Sequence, residues 1–285
     1  MRYILLVCLT FGFYSNAGTA GPWETTGGIL ESQEQTNEST PVVKASSEAE
    51  RMAWNKVARE EDHEKKAKAA EKYLEKFSDG AYAPYSHEII AVYALESNDI
   101  KKFKKHAELA VAGLPESIML EVELAKIYAE EQNPESAIKH GERVLPILSS
   151  LVASDKTVAK DLEKYRLSMI ADTNYALGTA YLYKGLNSRS RQAINRGIAY
   201  LETAAQLKPL DERSHFRLAF GYQVTRRIDQ ALNEYARAAA LEGANARLAR
   251  EYLEKAYLKK HGSLEGLEAF IEEQKGQLMA PGSGQ

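Results

Sequence analysis

His63-Glu64 opens a spacing that a helical zinc site would complete with a second histidine four residues on, where this chain carries Ala67. His87, His106, His140, His215 and His261 likewise have no second histidine at that spacing. No Gly-x-x-x-x-Gly-Lys-Ser/Thr is present to cradle phosphate, and no Gly-x-Gly-x-x-Gly follows a strand-like run. Gly282-Ser283-Gly284 has no strand before it, so it is not a nucleophile elbow. The carboxylates Glu60, Glu61, Asp62 and Glu64 run into Lys65 and Lys66, which is helix-surface pairing rather than an acid–base couple. Lys101, Lys102, Lys104 and Lys105 form a basic run without interleaved aromatics, so it reads as a solvated face and not as a nucleic-acid site. Catalysis, a metal and a cofactor are therefore not expected.

The elements that must carry the remaining side chains are helices. Among the 285 residues Gly and Pro are sparse, at 18 and 8, and the net charge of -3 offers no general attraction to nucleic acid. Met1 to Ala20 has Arg2, an apolar run from Tyr3 to Tyr14, and small residues ending at Ala20. That is the pattern of a secretory signal peptide, cut after Ala20, and it places the chain outside the cytoplasm, periplasmic or secreted. Cys8 lies inside that run, so the mature chain has no thiol. Residues 21–46 are polar and read as a flexible leader. Helical patterning occupies residues 47–275, and residues 276–285 read as a flexible tail.

Within the helical region a tyrosine recurs near the end of alternate helices: Tyr93, Tyr128, Tyr181, Tyr222 and Tyr257, at intervals of 35, 53, 41 and 35. Leu124-Ala125 precedes Tyr128, Leu177-Gly178 precedes Tyr181, Leu218-Ala219 precedes Tyr222, and Leu253 precedes Tyr257. Ala137 follows in one partner helix, and Ala231, Tyr235 and Ala238 follow in another. The interval of 53 contains Val158, Leu162, Tyr165 and Met169 on one helical face, which predicts a single long helix over Asp155–Lys184. The interval of 41 predicts an inserted basic loop over Gly185–Gln192, with Lys184, Arg189 and Arg191.

This spacing of large and small residues resembles the tetratricopeptide repeat. The resemblance covers five recurrences, and the run Tyr73–Pro84 resembles the repeats of bacterial envelope-assembly proteins. It implies an all-α, right-handed solenoid of about five to six helical hairpins with one extended helix. By family geometry, first helices line a groove. Groove-facing candidates are Met119, Val122 and Lys126; Asp172, Tyr175, Thr179 and Tyr183; and Arg213, Phe216, Phe220 and Gln223. Tyr175, Tyr183, Phe216 and Phe220 would form an aromatic patch, with Arg213 and Arg217 placed to receive a carboxylate. The family's peptide-carboxylate clamp is incomplete, since Val122, Lys126 and Ala176 occupy its other positions. The resemblance implies a non-catalytic scaffold that binds another protein or peptide in an envelope assembly or secretion complex. The alternative is an accessory or regulatory subunit of an envelope enzyme acting on cell wall or glycans.

Overall fold

The computed structural model describes residues 47–151, 159–241 and 243–280. The expected signal peptide and leader, the first residues of the expected long helix and the end of the expected tail lie outside the described residues. Among the described residues the protein is all-α, with twelve helices and no strand. They are α1 (Glu48–Ala58), α2 (His63–Lys76), α3 (Ala83–Glu96), α4 (Ile100–Gly113), α5 (Ile118–Glu130) and α6 (Pro134–Ser150). Then follow α7 (Ala159–Ser188), α8 (Arg191–Leu207), α9 (Glu212–Val224), α10 (Ile228–Ala240), α11 (Ala246–His261) and α12 (Leu267–Met279). Polar N-caps fix several starts. The side chains of Ser47, Asp62, Asn133 and Ser190 accept from the backbone N–H groups of Glu50, Lys65, Ser136 and Ala193. The chain divides into two compact units, one ending at Phe103 and one beginning at Lys104.

Four helix pairs turn in the same way. Asn98, Gln132, Arg189 and Arg226 all have positive φ, between 53° and 65°. At each, the following N–H donates to the carbonyl five residues back: Asp99 to Ala94, Asn133 to Tyr128, Ser190 to Gly185 and Arg227 to Tyr222, at 2.8–2.9 Å. This is a Schellman cap, which satisfies carbonyls that a helix end would otherwise leave orphaned. The third of these turns corrects the expected basic loop over Gly185–Gln192. Helix α7 continues to Ser188 and α8 begins at Arg191, so the added residues lengthen the hairpin instead of looping out of it. The long helix exists as the 30-residue α7, four residues further along the chain at its C-terminal end than expected. At the far end of the chain, α12 runs to Met279 with Leu278 buried, so the expected tail over 276–285 begins too early.

Small residues sit where paired helices cross. A Cβ on Gly178 would lie 2.5 Å from Leu201 Cγ and 2.9 Å from the Gly197 carbonyl oxygen. A Cβ on Gly197 would lie 2.8 Å from the Gly178 carbonyl, so α7 and α8 touch backbone to backbone. Ala219 and Ala231 are buried in the cluster that also holds Leu218, Tyr222, Tyr235 and Leu253. Ala125, Ala137, Leu177 and Tyr181 share another, against which Tyr128 packs. Leu124 is fully buried.

The three central tyrosines share one contact scheme in the second unit. Tyr128 donates to Glu108 at 3.0 Å, Tyr181 to Glu142 at 2.6 Å and Tyr222 to Glu202 at 2.6 Å. Each acceptor belongs to the preceding helix of the neighbouring hairpin. A cation lies over each ring: Lys104, Arg196 and Arg227, at 5.6, 4.4 and 5.7 Å from the centroids. Burial, reinforced by the glutamates, pushes the phenols of Tyr128 and Tyr181 up to about 12. The outer two tyrosines differ. Tyr93 is half-buried in the first unit. Tyr257 packs on His261 and Phe270, its hydroxyl reaching the Glu265 carbonyl at 3.4 Å.

Two hairpins also bury a histidine–glutamate pair in opposite orders. In α5–α6, His140 Nδ1 lies 2.6 Å from Glu121, with Nε2 3.0 Å from Glu108. In α9–α10, His215 Nδ1 lies 2.6 Å from Glu234, with Nε2 2.9 Å from the Pro209 carbonyl. Both pairs span 19 residues, and in each an arginine grips the glutamate: Arg143 at 2.9 Å from Glu121 and Arg237 at 2.7 Å from Glu234. Both histidines are buried.

Three substitutions probe this packing. Removing the acceptor leaves the His215 Nδ1 side unpaired, so Glu234→Ala is expected to cost about 1–3 kcal/mol of unfolding free energy. The exchanged variant His215→Glu/Glu234→His recreates the order found in α5–α6, with Glu202 standing where Glu108 stands. Its loss in urea unfolding is expected to be less than half that of Glu234→Ala; an equal or larger loss contradicts the equivalence of the two hairpins. Ala231→Glu forces a charge into a helix crossing, and its thermal unfolding midpoint is expected to fall well below that of the native protein.

Candidate protein-binding surface

Helix α7 places Tyr175, Thr179 and Tyr183 one turn apart, and α9 places Arg213 and Arg217 one turn apart beside them. The C-terminal residue of α5, Glu130, completes the cluster. Tyr175 is 2% exposed, and its hydroxyl donates to Glu130 Oε1. Burial, then the Glu130 charge, pushes this phenol far above its ordinary range. Arg217 donates to the Tyr183 hydroxyl at 2.9 Å through Nη1 and to Glu130 Oε2 at 3.0 Å through Nη2. Its guanidinium also lies 5.6 Å from the Tyr183 ring centroid. Burial opposes the charge on Arg217, but the oxygens of Tyr175, Tyr183 and Glu130 outweigh it and hold the guanidinium more firmly protonated than usual.

Arg213 covers the other end of Tyr175, 5.1 Å from the ring centroid. Its Nε donates to Asp211 at 2.9 Å, and its Nη2 lies 4.0 Å from Asp172, which Lys208 also holds at 2.8 Å. Burial would raise the Asp211 carboxyl, yet Arg213 and the Ser214 hydroxyl overcome that and hold it below its ordinary range. The cluster therefore contains three carboxylates against Lys208, Arg213 and Arg217. Both arginines already face carboxylates of this chain. An incoming carboxylate must compete with Glu130 for Arg217.

The expected aromatic patch divides. Phe216 is 8% exposed and packs on Tyr235 and Tyr252 with centroids 6.0 and 6.1 Å away, so it is core. It faces inward because α11 lies against that side of α9 and α10. Tyr175 is core at its ring and polar only at its tip. Tyr183 and Phe220 are half-buried and reach the surface, Phe220 resting on the same core as Phe216. Of the other expected groove positions, Val122 and Thr179 are buried. Lys126 is paired with Glu123 at 2.8 Å, and Gln223 accepts from Tyr235 at 2.6 Å. The surface that remains consists of Tyr183, Arg213, Arg217 and Phe220, with Glu130 bridging from α5.

Glu130 was not among the residues singled out in the sequence. It lies 45 residues before Tyr175 and 87 before Arg217, outside any local spacing. Among the described residues no group of three or more His, Cys, Asp or Glu is arranged to hold a metal ion, and no helix is long and apolar enough to cross a membrane. In comparisons with known proteins, no family model, no curated protein and no solved structure matches this chain.

Proposed function

We propose that this chain is a tetratricopeptide-type scaffold: a right-handed solenoid of helical hairpins, exported and non-catalytic, that binds another protein within a bacterial envelope assembly or secretion complex. The observation that carries the reading is the recurrence of one hairpin scheme. The same Schellman turn closes four helix pairs, small residues line the crossings, and a tyrosine reaches back to a glutamate of the preceding hairpin in three of them. Hairpins built in this way bury one another's faces and leave an extended surface for a partner. Tyr183 and Phe220 supply rigid aromatic area on that surface, and Arg217 supplies a charge that Glu130 holds in place until a stronger acceptor displaces it.

Photo-cross-linking in the producing cells tests this reading. A photoreactive residue at position 183 or 220 is expected to trap one defined protein, while the same residue at Gln192, an exposed position on α8, does not. Tyr183→Ala with Phe220→Ala is expected to keep helicity while lowering capture at least tenfold, as loss of about 1.4 kcal/mol of contact requires. Equal trapping at all three positions, or undiminished capture by the double variant, contradicts it.

A further inference from the structure

Beyond that surface, the turns of three successive hairpins form a basic and aliphatic edge. Between α7 and α8 stand Arg189 and Arg191; between α9 and α10, Arg226 and Arg227; at the end of α11, Lys259, Lys260 and His261. Two contacts place these turns side by side. Arg227 donates to Asn195 of α8 at 3.2 Å, one helical turn beyond Arg191, and Lys260 pairs with Asp229 at the start of α10. Arg189, Arg191, Arg226 and Lys259 are exposed, and among the described residues no carboxylate pairs with them. Lys184 to Leu201 contains no acidic residue. The acids at this edge are Asp229, held by Lys260, and Glu265 in the last turn. The turn between α5 and α6 is unlike these: its Glu131 and Glu135 are met by Lys104 and Lys184.

Two details point to a ligand for this edge. Arg189 and Arg226 occupy the left-handed positions of their Schellman caps, where glycine or asparagine is the unstrained choice. Gln132 holds the same conformation in the α5–α6 turn, so what sets this edge apart is that both left-handed residues are exposed arginines. Aliphatic side chains alternate with the charges: Val224 at 36% exposure, Ile228 at 39%, Leu258 at 47% and Leu264 at 45%. The rings beside these turns are engaged: Tyr222 is 5% exposed beneath Arg227, and half-buried Tyr257 packs on His261 and Phe270. Guanidinium groups interleaved with short aliphatics match the boundary between lipid phosphates and acyl chains. We infer that this edge docks on an anionic lipid bilayer, the arginines donating to headgroup phosphates while Val224, Ile228, Leu258 and Leu264 sink to the level of the headgroups.

The test is sedimentation of the protein, as purified from its producing cells, with vesicles of phosphatidylcholine alone or mixed in equal parts with phosphatidylglycerol. The expected result is stronger partition onto the anionic vesicles, falling as salt rises. Arg189→Ala/Arg191→Ala/Arg226→Ala removes three exposed charges without touching the core, and is expected to reduce that anionic increment about a hundredfold, roughly fivefold per charge. Val224→Ser with Leu264→Ser is expected to weaken binding to the same vesicles while leaving its salt dependence in place. Thermal unfolding of each variant confirms that it is folded. No anionic increment, or an increment unchanged in the triple arginine variant, overturns the inference. Binding of polyglutamate to this edge without vesicle binding also overturns it, in favour of an acidic protein partner.

Discussion

A buried tyrosine must place its hydroxyl somewhere, and in this chain the placement holds hairpin to hairpin. The rings of Tyr128, Tyr181 and Tyr222 fill the space between helices, while their hydroxyls reach Glu108, Glu142 and Glu202 on the helix that ends the preceding pair. An unpartnered phenol there would carry the full desolvation penalty of its oxygen. The glutamate removes that penalty, and a lysine or arginine over the ring offsets the negative charge beside it. Within a hairpin the constraint is different. In α7–α8 the crossing distance is set by Gly178 and Gly197, because a Cβ on either meets backbone. One device closes each hairpin and the other fastens it to its neighbour.

That division explains what was legible in the sequence. Periodicity of apolar residues and the position of small ones are local signals; Leu124, Leu177, Leu218 and Leu253, which mark the recurrence, are all buried. The long helix was visible for the same reason. The loop expected around Arg189 rests on the long interval alone, which does not say where the added residues go, and nothing local reveals that both flanking helices gain length together. The family's geometry puts Phe216 in the groove, but only the position of α11 decides which side of α9 is covered. Glu130 and the paired histidines escaped for a shared reason: their partners come from other helices, and a lone Glu or His carries no spacing to read.

The polar clusters set how binding would proceed. Arg217 is presented with its hydrogen bonds already made to Tyr183 and Glu130, so its position is fixed before any partner arrives. Preorganisation of this kind lowers the entropy cost of association, while competition from Glu130 weakens all but well-matched acceptors. The basic edge is built on the opposite principle. Arg189, Arg191 and Arg226 are exposed and meet no carboxylate among the described residues, which suits a diffuse field rather than one partner group.

The coupling of hairpins through tyrosine and glutamate is tested most directly by a double-mutant cycle on Tyr222→Phe and Glu202→Gln, read by urea unfolding. The expected coupling energy is about 1–2 kcal/mol, as for a hydrogen bond to a carboxylate with partial burial. Strictly additive losses would contradict the account, because they would mean that the hydroxyl and the carboxylate act apart and that packing alone joins one hairpin to the next.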